Sequence, residues 1–280
     1  MSNPQTGSDR KPLVPAEGWH VLHQIYTLDR GLASAGGEGW QCLREGLKAV
    51  DASVAAMENG QILWFSVVGR ADFGFMIMGS RLDEVDALEK RVAAIGHGMV
   101  RRHFSFLSLT EESEYTTTEE EFGQSLERDE GLAPGTDEFA SRIKAFNERM
   151  AKYRHERIYP KLGDWEAICF YPMAKRRASD QNWYALPYEE RRRLMAGHAR
   201  VGRSYAGRVK QLITGATGLS DWEWGVTLFS RSVDEFKKII YEMRFDPVSH
   251  SYAEFGPFYL GQILSVQKLT ERLCQVEEVS

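Results

Sequence analysis

The residues of this chain whose types and spacing could do chemistry cluster between Arg157 and Gly261. Tyr171-Pro172-Met173-Ala174-Lys175-Arg176-Arg177 stands where the apolar run WEAICFYPM gives way to a polar segment. A phenol, a thioether and three cations at the end of a buried strand suit a ligand with an apolar body and an anionic rim. A solvated strand end with a basic patch is the other reading. His198 recurs at helical spacing with Leu194, Met195, Val201 and Tyr205, while Glu189, Arg192 and Arg200 take the opposite face. It is therefore expected to point inward, either as a hydrogen-bonded core residue or as a ligand. No His-x₃-His pair or second nearby carboxylate completes a zinc site, so a metal here would receive one bond. A single imidazole from an apolar helix face is what an axial haem ligand requires, because the porphyrin supplies four more donors.

Two further groups lie downstream. In VKQLITG, alternation puts Gln211, Ile213 and Gly215 on one face, so Gln211 is an inward amide that needs a partner. It could close a core hydrogen bond or lie over an open metal position and hydrogen-bond a bound oxygen. Arg244 and Ser249 follow the stripe Val233, Phe236, Ile239, Ile240, Met243 and could form an anion site or end the helix.

These residues need elements to hold them. WHVLHQIYTLD reads as a strand, REGLKAVDASVAAM as a helix, QILWFSVVG and FGFMIMG as strands, RLDEVDALEKRVAAIG as a helix and FSFLSLT as a strand. The second half repeats that order: strand WEAICFYPM, helix PYEERRRLMAGHARVGRSY, strands VKQLITGATG and DWEWGVTLFS, helix VDEFKKIIYEMRF and strand PFYLGQILS. The expected fold class is α+β, with two ferredoxin-like β-α-β-β-α-β halves packed as one dimeric α+β barrel subunit. The expected organisation is a flexible tail over residues 1–17, a first half over 18–110, an acidic surface insertion over 111–137 and a second half with the ligand pocket over 138–280. The insertion carries nine acidic residues between Glu111 and Glu130 and reads as a solvated excursion, followed by a helix from Glu138 to about Glu156.

Composition narrows the class. The chain is 42% hydrophobic and 27% charged, which excludes collagen, coiled coil and wholesale disorder. Its longest apolar stretch, around Ile62 to Val68, is far short of the roughly 20 residues that cross a bilayer, and MSNPQTGSDRKP lacks the apolar core of a signal peptide. No membrane insertion is expected, and the cytoplasm is the expected compartment. Three well-separated cysteines, Cys42, Cys169 and Cys274, suit a reducing compartment and argue against a disulfide framework. A net charge of −5 argues against nucleic-acid binding, while local cations remain available for small anions.

YPMAKRR (Tyr171 to Arg177), LMAGHARVGRSYAGRVKQLITG (Leu194 to Gly215), DWEWGVTLF (Asp221 to Phe229) and KKIIYEMRFDPVSHSYAEFGPFYLG (Lys237 to Gly261) together resemble the coproheme decarboxylases, the haem-biosynthesis branch of the chlorite dismutase family. The resemblance covers most of residues 155–265; the first half shares only the element order. It implies a homopentamer and a reaction in which iron coproporphyrin III (coproheme) is both substrate and redox centre, losing two propionate carboxyl groups with hydrogen peroxide to leave haem b. By the same resemblance Tyr171 is the radical residue, His198 the axial ligand and Gln211 the distal amide. Met173, Lys175, Arg157 and Ser249 are propionate contacts, and Pro172 and Ala174 join the cofactor-binding set as neighbours in the strand. Chlorite-decomposing relatives carry Arg where this chain has Gln211. The alternatives are a chlorite dismutase-like or peroxidase-like haem enzyme, a haem carrier or sensor, and a barrel with no cofactor.

Overall fold

The computed structural model describes residues 17–34 and 37–274, so the expected tail lies outside the described residues apart from Glu17. The chain runs β1 (Glu17–Leu28), α1 (Arg30–Ser34), α2 (Glu38–Ala55), β2 (Gln61–Val67), β3 (Phe73–Gly79), α3 (Leu82–Ala93), β4 (Val100–Glu111), α4 (Glu119–Glu130) and α5 (Asp137–Ile158). It continues through β5 (Ala167–Lys175), α6 (Tyr188–Ser204), β6 (Val209–Gly215), β7 (Trp224–Ser230), α7 (Val233–Met243), α8 (Pro247–Tyr252), β8 (Ala253–Phe255), β9 (Tyr259–Leu264) and α9 (Val266–Cys274).

Each half forms an antiparallel four-stranded sheet, β4-β1-β3-β2 in the first and β9-β5-β7-β6 in the second. Two seams join them. β2 pairs with β9 from Trp64↔Leu264 to Val67↔Gly261, and β4 pairs with β6 at Leu109↔Gly215 and Thr110↔Thr214. The eight strands therefore close on themselves, which removes exposed sheet edges; β8 adds to the end of β5.

Strand alternation divides the core. Val21 and Ile25 of β1, Met76 and Met78 of β3, Ile168 and Phe170 of β5 and Phe229 of β7 fill the barrel interior. Leu22 and Tyr26 of β1 and Phe73, Phe75 and Ile77 of β3 face outward against α2 and α3. Because both faces are covered, these strands read as nearly continuous apolar runs. Close packing also fixes one glycine: a Cβ at Gly74 would lie 2.7 Å from the Phe65 ring.

The structure departs from the sequence reading in three places. The acidic segment is not simply a solvated excursion, since it contains α4, begun by a capping box between Thr118 and Glu121. Phe122 and Leu126, one helical turn apart among the charges, dock that helix: Phe122 stacks on Phe146 of α5 at 4.3 Å, and Leu126 is fully buried. Likewise α9, within the segment assigned to the second half, inserts Leu269 and Leu273 into the first half's outer core. Val233, expected in the buried stripe of α7, is exposed at the helix's first turn. Among the described residues no helix is long and apolar enough to cross a membrane.

Candidate functional site

On β5, period-two alternation turns Cys169, Tyr171, Met173 and Lys175 away from the barrel, opposite Ile168 and Phe170. A cavity of about 1540 Å³ lies over this outer face, walled by β6, β7, α6 and the segment that follows β4. Its size exceeds the ~300–1,000 Å³ of ordinary small-molecule pockets. Seven Lys and Arg side chains line it against four Glu, in a chain whose net charge is −5. The cavity draws almost entirely on the second half and on residues 109–117; Glu17 is the sole contribution from the start of the first half.

Arg157, Tyr171, Met173, Lys175, His198, Gln211 and Ser249 all line this one cavity, although they come from α5, β5, α6, β6 and α8. Pro172 and Ala174 do not. Alternation turns them to the other side of β5, where the Pro172 carbonyl accepts from the Gly256 N–H at 2.9 Å.

Tyr171 is 6% exposed, its ring stacked on Phe258 at 4.4 Å, and its hydroxyl makes no hydrogen bond among the described residues. Burial raises its pKa, the thiol of Cys169 adds to the rise and Arg244 opposes it, so the phenol stays protonated. Lys175 is 8% exposed, with Nζ 4.2 Å from the centre of the Trp183 ring and no carboxylate at ion-pair distance. Burial pushes its amine down to about 8, against the pull of Asp246, Glu223 and Glu114. Its backbone N–H donates to Glu223 at 2.7 Å, which fixes the end of the strand.

His198 Nδ1 lies 2.7 Å from Oδ2 of Asp246, leaving Nε2 without a partner among the described residues. Asp246 caps α8, accepting from the backbone N–H and the hydroxyl of Ser249, each at 3.3 Å. Burial pushes the Asp246 carboxyl up, but His198 and the N–H groups of Val248 and Ser249 outweigh it and hold the pKa below the usual carboxylate value. A carboxylate on one imidazole nitrogen orients the ring and makes the other nitrogen a better ligand. Among the described residues no three His, Cys, Asp or Glu side chains are grouped to hold a metal ion, so a metal at His198 would need donors from elsewhere.

On the sheet wall the Gln211 amide donates to the Gly202 carbonyl at 3.3 Å, and the absence of a side chain at Gly202 lets it approach. Arg157 and Arg191 each carry a buried Nε with no partner. Arg244, read as a possible anion-site residue, lies over the Phe255 ring at 4.3 Å and lines the cavity. Arg192, expected on the solvent face of α6, also lines the cavity and pairs with Glu121 at 2.8 Å, because α4 covers that face.

Sequence reasoning missed Asp246, Glu111, Trp183 and Arg191. For Asp246 a signal was present: Asp before Pro247 is an N-cap followed by proline at the first helical position. The others announce nothing by spacing.

A model of the chlorite dismutase family matches residues 43–264, more than three quarters of the sequence. The chain belongs to the chlorite dismutase family. Among its relatives, a Natronomonas pharaonis protein named as a candidate haem-binding protein is 38% identical over 267 residues, which is 93% of this chain and 42% of that protein. The chain thus spans less than half the length of that relative. The structure of a Thermus thermophilus protein described as a novel haem-binding protein is 36% identical, with a TM-score of 0.75 over 93% of this chain and 98% of the other. A chlorite dismutase variant from Candidatus Nitrospira defluvii shares the fold at 15% identity, with a TM-score of 0.69 over 95% of this chain and 99% of the other.

Proposed function

We propose that this member of the chlorite dismutase family binds iron coproporphyrin III between His198 and the sheet wall and, with hydrogen peroxide, converts two of its propionates to vinyl groups to give haem b. Per propionate, one peroxide and one proton are consumed, and one CO₂ and two waters are released. The observation that carries this reading is Tyr171: a buried, protonated phenol with a free hydroxyl, facing a cavity lined by excess cations and placed two residues from Met173 and four from Lys175 on one strand face. The two haem-binding relatives support the porphyrin.

The residues present suit a flat tetracarboxylate. The orphaned guanidinium nitrogens of Arg157 and Arg191 and the unpaired Lys175 ammonium are buried donors that carboxylates would satisfy. A lone buried ion of this kind costs several kcal/mol, which charge-assisted hydrogen bonds to propionates offset. His198, oriented by Asp246, presents Nε2 for the iron.

Bound there, the iron porphyrin supplies the two-electron oxidation by peroxide. Tyr171 would give up its hydroxyl hydrogen atom and regain one from the propionate β-carbon; the carbon radical left behind would lose CO₂ as it passes one further electron to the oxidised porphyrin, leaving the vinyl group. Lys175 holds the reacting carboxylate against the phenol. Gln211, neutral and tied to the Gly202 carbonyl one turn along α6 from His198, would offer the bound group an amide without adding charge. Apolar walls from Ile213, Val226 and Met243 limit the access of water.

The test is a peroxide titration of the coproheme-loaded protein followed by mass spectrometry. Loss of two carboxyl groups is expected, and Tyr171→Phe should bind coproheme yet yield little or no haem b. Unchanged coproheme in the parent protein, or rapid oxygen release from chlorite, would refute the reading. The assembly that goes with it is a homopentamer, to be measured by light scattering.

A further inference from the structure

One carboxylate on the cavity wall has no part in the proposed reaction. Glu111 ends β4 just past the seam with β6, and its side chain lies over Gly215: a Cβ there would sit 2.1 Å from Oε2. Glycine at 215 is what lets the carboxyl rest on the sheet. Trp224 of β7 donates its indole N–H to Oε1 at 3.3 Å. The charged groups facing Glu111 are Glu17 from β1, Glu114 from the segment after β4 and Arg157 from α5. Arg157 makes no ion pair with Glu111 among the described residues, and its Nε is buried and unpartnered. Burial raises the Glu111 pKa, and Glu17 and Glu114 add to the rise, against the Trp224 hydrogen bond and Arg157.

This corner therefore holds one guanidinium, facing the cavity where a carboxylate would enter, beside a partly buried carboxyl. Carboxylates crowded around one cation do not all remain ionised. We infer that Glu111 takes up a proton when a porphyrin carboxylate reaches Arg157, so that this corner of the site recognises a carboxylate together with a proton. The inference rests on the proposed coproheme reading. The proton comes from solvent onto a Glu111 oxygen, the incoming carboxylate keeps Arg157, and protonated Glu111 becomes a hydrogen-bond donor beside it. The sign follows: the complex holds on Glu111 a proton that the free protein releases, so binding weakens as pH rises.

The experiment is calorimetric titration of iron(III) coproporphyrin III, without peroxide, into the full chain at pH 7 in buffers of different ionisation enthalpy. The wild type is expected to take up about one proton more than Glu111→Gln, and its Kd to rise roughly tenfold more per pH unit. Lys175 contributes equally to both proteins and drops out of the difference. Equal proton uptake with porphyrin bound in both overturns this inference alone. Failure of the wild type to bind the porphyrin overturns the proposed function itself. Should Glu111→Gln fail to fold, Gly215→Ala is the second probe, since its Cβ pushes the carboxyl off the sheet into water; full proton uptake in that variant also overturns the inference.

Discussion

Replacing Lys175 with Met should make the ligand-free protein more stable at pH 7. Lys175 is 8% exposed and has no carboxylate at ion-pair distance, and burial holds its amine near 8 where 10.5 is ordinary. That depression corresponds to about 3 kcal/mol for keeping the charged form in the folded state at pH 7. The Trp183 contact at 4.2 Å returns about 1–2 kcal/mol. Met fills similar space without a charge, so a net gain of about 1–2 kcal/mol is expected. The pH dependence is the sharper signature. Between pH 8 and 10.5 the unfolded chain holds more protons than the folded one, so wild-type stability rises with pH and the variant's advantage shrinks. Urea unfolding of both ligand-free proteins at pH 7 and pH 10 measures this directly. A variant less stable at pH 7 by a pH-independent amount would refute the reasoning: Lys175 would then be satisfied within the protein, by Glu223 or Asp246, and would not be a cation held for a ligand. The same variant should bind coproheme more weakly.

Two further substitutions test the frame around the site. His23 lies inside the barrel, fully buried, stacked on Phe170 at 4.0 Å and hydrogen-bonded to Thr227 at 2.9 Å, and burial pushes its pKa down to about 3. The unfolded chain protonates this ring below about 6.5 while the folded one does not, so stability falls with pH by up to about 1.4 kcal/mol per unit; denaturant unfolding of His23→Gln should show about 2 kcal/mol less loss between pH 7 and pH 5. Asp246→Ala removes the cap of α8 and should cost about 1 kcal/mol in denaturant unfolding. It also frees the His198 ring, so the visible spectrum of the haem-loaded variant should change.

Much of the frame was legible because it depends on local periods. Alternation along AICFYPMAK (Ala167–Lys175) separates Tyr171, Met173 and Lys175 from Pro172 and Ala174, and the structure keeps that separation: the first three line the cavity and the other two do not. Pro172 and Ala174, included among the expected ligand contacts, sit on the opposite face of β5. Helical spacing likewise put His198 with Met195 on one face, and both line the cavity. The acidic segment was harder to read. Two apolar residues among nine acids give a weak stripe, and only α5, 24 residues from Phe122 to Phe146, shows what it packs against.

The sequence by itself determined the two β-α-β-β-α-β halves, the strand face that carries the phenol and the lysine, and the helix face that carries the imidazole. Each follows from a period of two or 3.6 residues, which the chain sets within a few neighbours. Tertiary structure alone decided the partners. Asp246 meets His198 across 48 residues, Trp224 meets Glu111 across 113, and α9 crosses back to the first half. The last two depend on how the barrel closes at its seams and the first on how α8 packs against α6, and in each case the separation in the chain has no period to reveal the contact.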